Sequence, residues 1–439
     1  MGLFQQFVQL LGFASFLLPV ASGSPAGHFL FPRVPEDPSV DPFYQPPEGF
    51  ESKPLGTILR QRSVVTAYFG ELPNPVQAHQ LLYRTTATNG SAIAAVTTVF
   101  KPLFQKKGPY QLGVVPKEEQ AGITTTLEYL IIQIYLANGY VVASPDYEGP
   151  DAAFTPGHLE GMVTLDGMRA VVNFRETVGI TSKIPMIFGS GYSSGAIASG
   201  WGASLQSSYA PELDIKGWAM GGTPANLTGT LLHIDGSPNS GFLPIAINGL
   251  MKPSAYQEQL HSLFDRVVTA EGKAALDEAQ TQCTTAALNS FKFKSIISTD
   301  VQSEGPDILY HPVLAPILSE NIMGINVSER PVVPVFVYHA TKDQIIPYAN
   351  AKSLVDNWCN QGVSVKFTTY EAGGHATTDT LGVSDVLKFA ESAFSGTLVR
   401  GCTKNTKLDE SLDPLALGVN LEPLFNALSV ALNKLQFKF

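Results

Sequence analysis

Hydrophobic and polar positions follow two rhythms along this chain, one with the short period of strands and one with the period of helices. β-Branched and aromatic residues dominate residues 80–86, 93–100 and 111–115, which predicts three strands. Apolar residues then recur at helical spacing in residues 127–138, and Gly139 ends that predicted helix. The first part of the chain is therefore expected to form strands that lead into a helix.

The same alternation returns in the middle of the chain and again near its end. Strands and helices that alternate at this length predict a mostly parallel sheet covered by helices on both faces. The predicted strands are residues 140–143, 184–188, 215–220, 333–338 and 364–370, and the predicted helices are residues 158–176, a small-residue helix from Ser194, residues 348–358 and a helix after Thr377.

The rhythm is interrupted between residues 225 and 326. Helical patches such as residues 256–270 alternate there with stretches that contain Gly and Pro. A simple crossover between two strands needs far fewer residues than this. We therefore expect a mainly helical cap at residues 225–326, inserted between a first core part at residues 24–224 and a second at residues 327–402.

Both ends of the chain have a distinct composition. An apolar stretch at residues 7–18 is followed by Pro19 and small residues, which predicts a signal peptide at residues 1–23 and secretion. No other apolar run is long enough to span a membrane. Residues 403–439 form a charged stretch and then an amphipathic segment with Leu and Val at helical spacing. This tail is interpreted either as a helix packed on the domain or as a flap over a groove.

Composition and charge exclude several classes of protein. With 44% hydrophobic and 15% charged residues, the chain can bury a sizeable core and is not disordered as a whole. Its net charge of −10 argues against a nucleic-acid partner, which needs a basic face. The charge also disfavours anionic lipid, although it leaves room for a neutral lipid–water interface.

Glycosylation motifs and cysteines fit an exported protein. The motif Asn-X-Ser/Thr occurs at Asn89, Asn226 and Asn326, which are predicted glycosylation sites. Three cysteines in an oxidising compartment predict one disulfide and one remaining thiol.

The sequence from Gly191 to Gly195 reads Gly-Tyr-Ser-Ser-Gly, the G-x-S-x-G pattern of a nucleophile elbow. The central residue, Ser193, must sit on a turn so tight that only residues without bulk fit two places before and after it. A predicted apolar strand ends just before the pattern, and a predicted helix of small residues begins just after it. This context indicates a serine nucleophile at Ser193.

An acid and a base should follow the serine along the chain. Asp343 leaves the end of a predicted buried strand and is expected to orient a histidine, with Asp356 and Glu371 as alternatives. His375 follows a strand and two glycines, which let its loop fold back over the serine. A neutral imidazole there can take the serine proton. His339 is the competing histidine, but it lies inside a predicted strand and precedes the acid.

An oxyanion hole needs two backbone N–H groups. Ser194 is expected to supply one, and residues 116–120 after the third strand the other. Metal and cofactor chemistry has little support, because the chain contains no HExxH or CxxC motif and no dinucleotide-binding glycine motif in a βαβ unit. We predict no metal site and no cofactor.

In combination these motifs resemble the fungal secretory lipase family, which contains the Candida antarctica A-type lipase. The resemblance spans about residues 46–402 and rests on Asp146-Tyr147-Glu148-Gly149, residues 160–170, Gly191-Tyr192-Ser193-Ser194-Gly195, residues 208–213, residues 221–224, residues 343–348 and His375.

The resemblance implies an α/β-hydrolase fold with an inserted cap and a catalytic triad of Ser193, Asp343 and His375. It also implies a disulfide between Cys359 and Cys402, which leaves Cys283 free. Residues 117–119 depart from the family's oxyanion loop; aligning Glu119 with its acidic residue makes Glu119 the candidate second oxyanion residue.

Three functions are compatible with these residues. The first is a secreted triacylglycerol lipase that works through a Ser-His-Asp triad and an acyl-enzyme. The second is an esterase or deacetylase of a small acylated metabolite, since the resembling family also contains esterases that deacetylate trichothecene-like compounds. The third is a catalytically dead hydrolase fold used for binding, which the intact Ser, Asp and His disfavour.

Overall fold

The computed structural model describes residues 38–68, 72–73, 76–102, 111–114 and 123–408 of the 439-residue chain. The predicted signal peptide and the part of the predicted tail beyond residue 408 lie outside the described residues.

Strands and helices alternate through most of the described chain. The strands are β1 (Ile58–Val64), β2 (Ala67–Tyr68), β3 (Leu72–Pro73), β4 (Gln77–Thr86), β5 (Ala92–Lys101), β6 (Gln111–Val114), β7 (Val141–Pro145), β8 (Met186–Tyr192), β9 (Ile215–Gly221), β10 (Val335–Ala340), β11 (Val365–Tyr370) and β12 (Cys402–Lys407). The α-helices are α1 (Ile123–Ala137), α2 (Gly157–Phe174), α3 (Ser194–Tyr209), α4 (Leu227–Ile234), α5 (Phe242–Leu250), α6 (Gln257–Val267), α7 (Ala270–Gln280), α8 (Thr284–Ser290), α9 (Leu314–Glu320), α10 (Tyr348–Asn360) and α11 (His375–Phe394).

Ten of these strands form one sheet in the order β1-β4-β5-β7-β6-β8-β9-β10-β11-β12. The strands β6 to β12 are parallel to one another, while β1, β4 and β5 form an antiparallel edge that joins them at β7. The predicted mostly parallel sheet is therefore confirmed. Parallel strands place their carboxyl ends at one edge of the sheet, where ligands bind in open α/β folds.

The sheet is buried on both faces, as strand β10 shows. Val335 and Val337 belong to a core with residues of α2, α3 and α10. Phe336 and Tyr338, which alternate with them, belong to a second core with residues of α1 and α11. Because both faces are apolar, the central strands read as continuous hydrophobic runs in the sequence.

Helix α3 packs unusually close to the sheet because its residues are small. A Cβ atom added to Gly202 would lie 2.8 Å from the Trp218 ring on β9, closer than carbon atoms can approach. This close packing fixes the start of α3, and with it the turn that joins β8 to α3.

Six helices, α4 to α9, and a 3₁₀ helix at Gly305–Tyr310 lie between β9 and β10. Hydrogen bonds attach this cap to the loop that leads into α2. The Asp151 carboxylate accepts from the Ser254 N–H at 2.9 Å, and Asn321 Oδ1 accepts from the Gly157 N–H at 2.8 Å. The inserted, mainly helical segment of the predicted α/β-hydrolase fold is therefore present.

Two strands of the ten-stranded sheet were not predicted, and both are its edges; the two short strands of a separate sheet, β2 and β3, were not predicted either. Strand β12 runs beside β11 from Cys402 to Lys407, yet its residues are polar and almost all exposed. Strand β1 pairs with β4 and is also largely polar. Edge strands are held by backbone pairing, so no hydrophobic pattern marks them. The sheet therefore continues through Lys407, into the segment that was predicted to be tail.

A disulfide joins Cys359 at the end of α10 to Cys402 at the start of β12, as the family resemblance implies. Cys283 is an exposed free thiol at the start of α8. The bridge closes a chain segment with a sequence separation of 43, which contains β11 and His375.

Replacing both Cys359 and Cys402 with Ala should lower the free energy of unfolding by about 4 kcal/mol, the loop-closure entropy for a segment of this length. Urea denaturation followed by fluorescence measures this difference. Cys283→Ser is the matched control and should leave the unfolding midpoint unchanged. A double variant as stable as the wild type would contradict the expectation.

Candidate active site

The turn between β8 and α3 holds Ser193 in a strained backbone conformation. Its φ of 54° and ψ of −117° lie where residues other than Gly rarely occur. The Ser193 N–H donates to the Gly221 carbonyl on β9 at 2.9 Å, which ties the turn to the neighbouring strand. A Cβ atom at Gly191 would lie 2.0 Å from the Gly195 carbonyl oxygen, so no side chain fits at that position. The turn thus has the tight geometry expected of an elbow between strand and helix, with Ser193 half-buried at its tip.

His375 is the first residue of α11, directly after Gly374. Its Nε2 lies 2.8 Å from Ser193 Oγ, and its Nδ1 lies 2.7 Å from Asp343 Oδ2. The helix predicted to follow Thr377 thus begins at His375. This geometry makes Ser193, His375 and Asp343 one continuous chain of hydrogen bonds.

Two residues that sequence analysis did not assign fix the backbone of His375. Gln344 Oε1 accepts from the His375 N–H at 3.1 Å, and the Tyr192 hydroxyl donates to the His375 carbonyl at 2.6 Å. Both lie next to predicted site residues along the chain, and that proximity was the available signal. Asn239 of the cap also donates to the Gln344 carbonyl at 3.1 Å, so the cap contacts the loop that carries Asp343.

Asp343 lies on the loop between β10 and α10 and is buried. Its Oδ1 accepts from the N–H groups of Ile345 and Ile346 at 2.9 and 2.8 Å. These bonds leave Oδ2 directed at His375 Nδ1. The carboxylate therefore binds the ring nitrogen that does not face Ser193.

The other candidate acids lie elsewhere. Asp356 is on the surface of α10, in ion pairs with Lys352 at 2.7 Å and with Lys404. Glu371 is exposed at the end of β11. His339, the competing base, is fully buried behind Asp343. The structure thus brings together the three residues favoured from the sequence.

The Asp343 carboxylate and the His375 imidazole each favour the charged form of the other. Burial lowers the pKa of the His375 imidazole, but the charge and hydrogen bond of Asp343 outweigh burial and raise this pKa above the ordinary histidine value. Burial raises the pKa of the Asp343 carboxyl, but His375 and other donors outweigh it and keep this pKa below the ordinary value. Burial also raises the pKa of Asp379, one helical turn after His375, to about 7.

One predicted oxyanion donor lies within the described residues. Ser194 is the first residue of α3, and the first N–H groups of a helix have no acceptor within it. Its side-chain hydroxyl accepts from the buried Tyr147 hydroxyl at 2.9 Å, which fixes the helix start from a second direction. Glu119, the other predicted oxyanion residue, lies outside the described residues.

The predicted glycosylation sites have different surroundings. Asn89 and Asn326 are exposed, whereas Asn226 is half-buried and caps α4 by accepting from the Gly229 N–H at 2.9 Å. Glycosylation of all three stays a prediction.

Within the described residues, no cluster of three or more His, Cys, Asp or Glu side chains could hold a metal ion. None of the helices in this described part has the length and apolar character to cross a bilayer.

Comparison with known proteins places the chain in a family. The sequence profile described as secretory lipase matches residues 116–401. The chain belongs to the secretory lipase family. The resemblance inferred from the motifs is thereby confirmed, and the protein is a secreted hydrolase of esters.

Several relatives of this secretory lipase match over most of their length. The secreted triacylglycerol lipase LIP1 of Malassezia furfur is 37% identical over 407 residues, which cover 88% of this chain and 82% of that protein. The secreted triacylglycerol lipase LIP3 of Malassezia restricta is 35% identical over 383 residues, with 82% and 81% covered. The crystal structure of Candida antarctica lipase A in its closed state superposes with a TM-score of 0.79 at 28% identity, covering 90% of this chain and 96% of that one.

Replacing Asp343 with Asn should lower kcat/KM for ester hydrolysis by about 10³- to 10⁴-fold, because the amide no longer stabilises the imidazolium. In the wild type, activity should rise with pH through the pKa of His375, above the ordinary histidine value, because the base must be neutral to accept a proton. In Asp343→Asn the carboxylate charge is gone, so burial is the dominant effect on the pKa of His375 and lowers it. The rise of activity with pH should therefore move to lower pH. Rate measurements from pH 4 to 9 test both points.

Asp356→Asn and Glu371→Gln are the controls, and both should keep nearly wild-type kcat/KM and pH dependence. The assignment fails if Asp343→Asn is benign while either control loses activity.

Proposed function

We propose that this protein is a triacylglycerol lipase in which Ser193 is the nucleophile, His375 the general base and acid, and Asp343 the residue that orients His375. The observation that carries the proposal is the hydrogen-bonded chain from Ser193 Oγ through the His375 ring to Asp343 Oδ2, with contacts of 2.8 and 2.7 Å. Such a chain on a nucleophile elbow is the arrangement that acyl transfer requires.

Acylation follows from this arrangement. Ser193 Oγ attacks the ester carbonyl carbon while its proton passes to His375 Nε2. The charge that develops on the imidazole is balanced by Asp343, which is held as a carboxylate by two backbone N–H groups. The tetrahedral intermediate then collapses, the bond to the alcohol oxygen breaks, and His375 returns the proton to the leaving alcohol. The acyl group is left as an ester on Ser193.

Deacylation repeats the same steps with water. A water molecule gives its proton to His375 and attacks the acyl carbon, and Ser193 Oγ takes the proton back as the carboxylic acid leaves. The Ser194 N–H at the start of α3 is proposed as one donor to the oxyanion in both half-reactions. The second donor is proposed in residues 116–120, with Glu119 as the candidate.

A long acyl chain is the proposed substrate because the cap supplies apolar surface. Helices α4 and α5 are rich in apolar residues, and their side chains Leu231, Phe242 and Ile247 are only half-buried. These three lie outside the hydrophobic clusters formed by the described residues. Apolar walls of this kind suit an acyl chain. The similar proteins named triacylglycerol lipases support the same substrate class, and a lipid–water interface is its proposed setting.

Specificity constants for p-nitrophenyl esters from acetate to palmitate test this proposal. Because each buried CH₂ is worth about 0.8 kcal/mol, kcat/KM should rise severalfold with each added carbon to about eight carbons or beyond, and emulsified triacylglycerol should be hydrolysed. Constants that fall steadily from acetate to palmitate would favour an esterase of small acylated compounds.

Ser193→Ala is the control that ties the reaction to this site, and it should reduce turnover by at least about 10³-fold without loss of folding. A variant that keeps a tenth of wild-type turnover would refute the proposed nucleophile.

A further inference from the structure

His339 lies on β10, directly behind the proposed acid. Its side chain is fully buried, on the same face of the strand as Val335 and Val337. The ring of Tyr348 on α10 meets it edge-on at 6.0 Å. A buried polar side chain in an otherwise apolar row costs free energy unless its hydrogen bonds repay it, so its partners indicate its purpose.

One nitrogen of this ring has two acceptors within reach. His339 Nε2 lies 3.0 Å from the Ile346 carbonyl oxygen and 3.4 Å from Asp343 Oδ2. A carbonyl oxygen only accepts, so Nε2 must carry the hydrogen. The other nitrogen, Nδ1, is buried without a partner among the described residues. The ring is therefore the neutral tautomer with its proton on Nε2.

The surroundings keep this ring uncharged. Burial lowers the pKa of His339, His375 lowers it further, and the opposing effects of Asp343 and the Ile346 carbonyl are smaller. Two imidazole rings thus share one oxygen, Asp343 Oδ2, at 2.7 Å from His375 and 3.4 Å from His339. Since His339 stays neutral, the positive charge that forms during acylation resides on His375.

The same contacts close the turn that carries the acid. Ile346 donates its N–H to Asp343 Oδ1 at 2.8 Å and accepts the His339 N–H on its carbonyl at 3.0 Å. His339 therefore links the rigid strand β10 to the far end of the turn. This anchoring prevents the carboxylate from rotating away from His375.

We propose that His339 is a positioning residue for ester hydrolysis, whose neutral Nε2–H holds the turn of residues 343–346 and directs Asp343 Oδ2 at His375. The inference rests on the proposed triad. It assigns His339 a role through the acid rather than contact with substrate.

Three substitutions at His339 separate this role from simple packing. His339→Phe keeps an aromatic ring but removes the donor. His339→Gln can place an amide N–H near the Nε2 position, whereas His339→Asn places it near Nδ1, away from Asp343. Gln and Asn form the matched pair, because both are neutral amides and differ mainly in where they donate. Thermal unfolding of each variant shows whether it folds.

We expect His339→Phe to lower kcat about 10- to 100-fold, because the buried Ile346 carbonyl loses its donor and the turn that carries Asp343 is released, with little change in KM. His339→Gln should recover most of kcat, and His339→Asn should not. Should the Phe variant fail to fold, the comparison of Gln with Asn still decides the question. Equal losses in Gln and Asn, or wild-type kcat in Phe, would overturn the proposal.

The pKa of His375 is a readout that a packing role would not move. Without the Nε2–H of His339 at 3.4 Å, the Asp343 carboxylate loses a favourable electrostatic neighbour and attracts the imidazole proton more strongly, so the pKa of His375 should rise by about 0.5 to 1 in the Phe variant. The polar or titratable groups beside this pair are Ser193, Tyr192, Asp379 and His339 itself. Gln should leave the pKa of His375 unchanged. An unchanged pKa in the Phe variant would contradict the proposal.

This pKa is measured in two ways, so that failure of the triad can be distinguished from failure of this inference. The pH dependence of kcat/KM reports it through turnover. NMR titration of the His375 ring protons, assigned with His375→Gln, reports it in the free protein without any substrate. If Ser193→Ala remained active, the proposed triad would be refuted. The pKa of His375 measured by NMR would still decide whether His339 acts on the Asp343–His375 pair.

Discussion

The carboxyl ends of β8, β10 and β11 lie at one edge of the sheet, and the site depends on this alignment. Ser193 follows β8, Asp343 follows β10, and His375 follows β11. Residues 182 positions apart in the chain thereby come within 2.8 Å. The strained turn at Ser193 persists because the sheet and α3 hold it on both sides, through the Gly221 carbonyl and the close packing of small residues.

The cost of burying a carboxylate explains much of the structure around this edge. An unpaired buried charge is strongly unfavourable, so Asp343 needs donors on both oxygens. Two come from the backbone of its own turn and one from His375. To supply these three donors, the turn after Asp343 must be rigid and the His375 ring must lie at a fixed distance from the carboxylate. The same contacts that make the buried charge tolerable therefore also orient the imidazole towards Ser193.

The predictable parts of this site are those whose chemistry limits residue type. Ser193 and His375, which the structure brings within 2.8 Å, could be proposed from the sequence because an elbow needs glycines and the loop before a base needs flexibility. Contacts formed by common side chains could not be predicted: Gln344 and Tyr192 adjoin predicted site residues, but their residue types do not mark them as partners of the His375 backbone. Strand β12 was not predicted for a related reason. Backbone pairing and a disulfide hold it at the edge of the sheet, and it has no apolar face that would mark it in the sequence. The sequence identified His339 only as a competing base. Its proposed role depends on which ring nitrogen faces Asp343, and the sequence does not show this.

The central claim is that Ser193 forms a covalent bond to the acyl group during ester hydrolysis. Inactivation with a long-chain alkyl p-nitrophenyl phosphonate, followed by peptide mapping with mass spectrometry, tests it most directly. The account predicts that loss of activity is proportional to modification and that one phosphonyl group is found on the peptide containing Ser193. Complete inactivation with the label on another residue, or full activity with Ser193 modified, would contradict it.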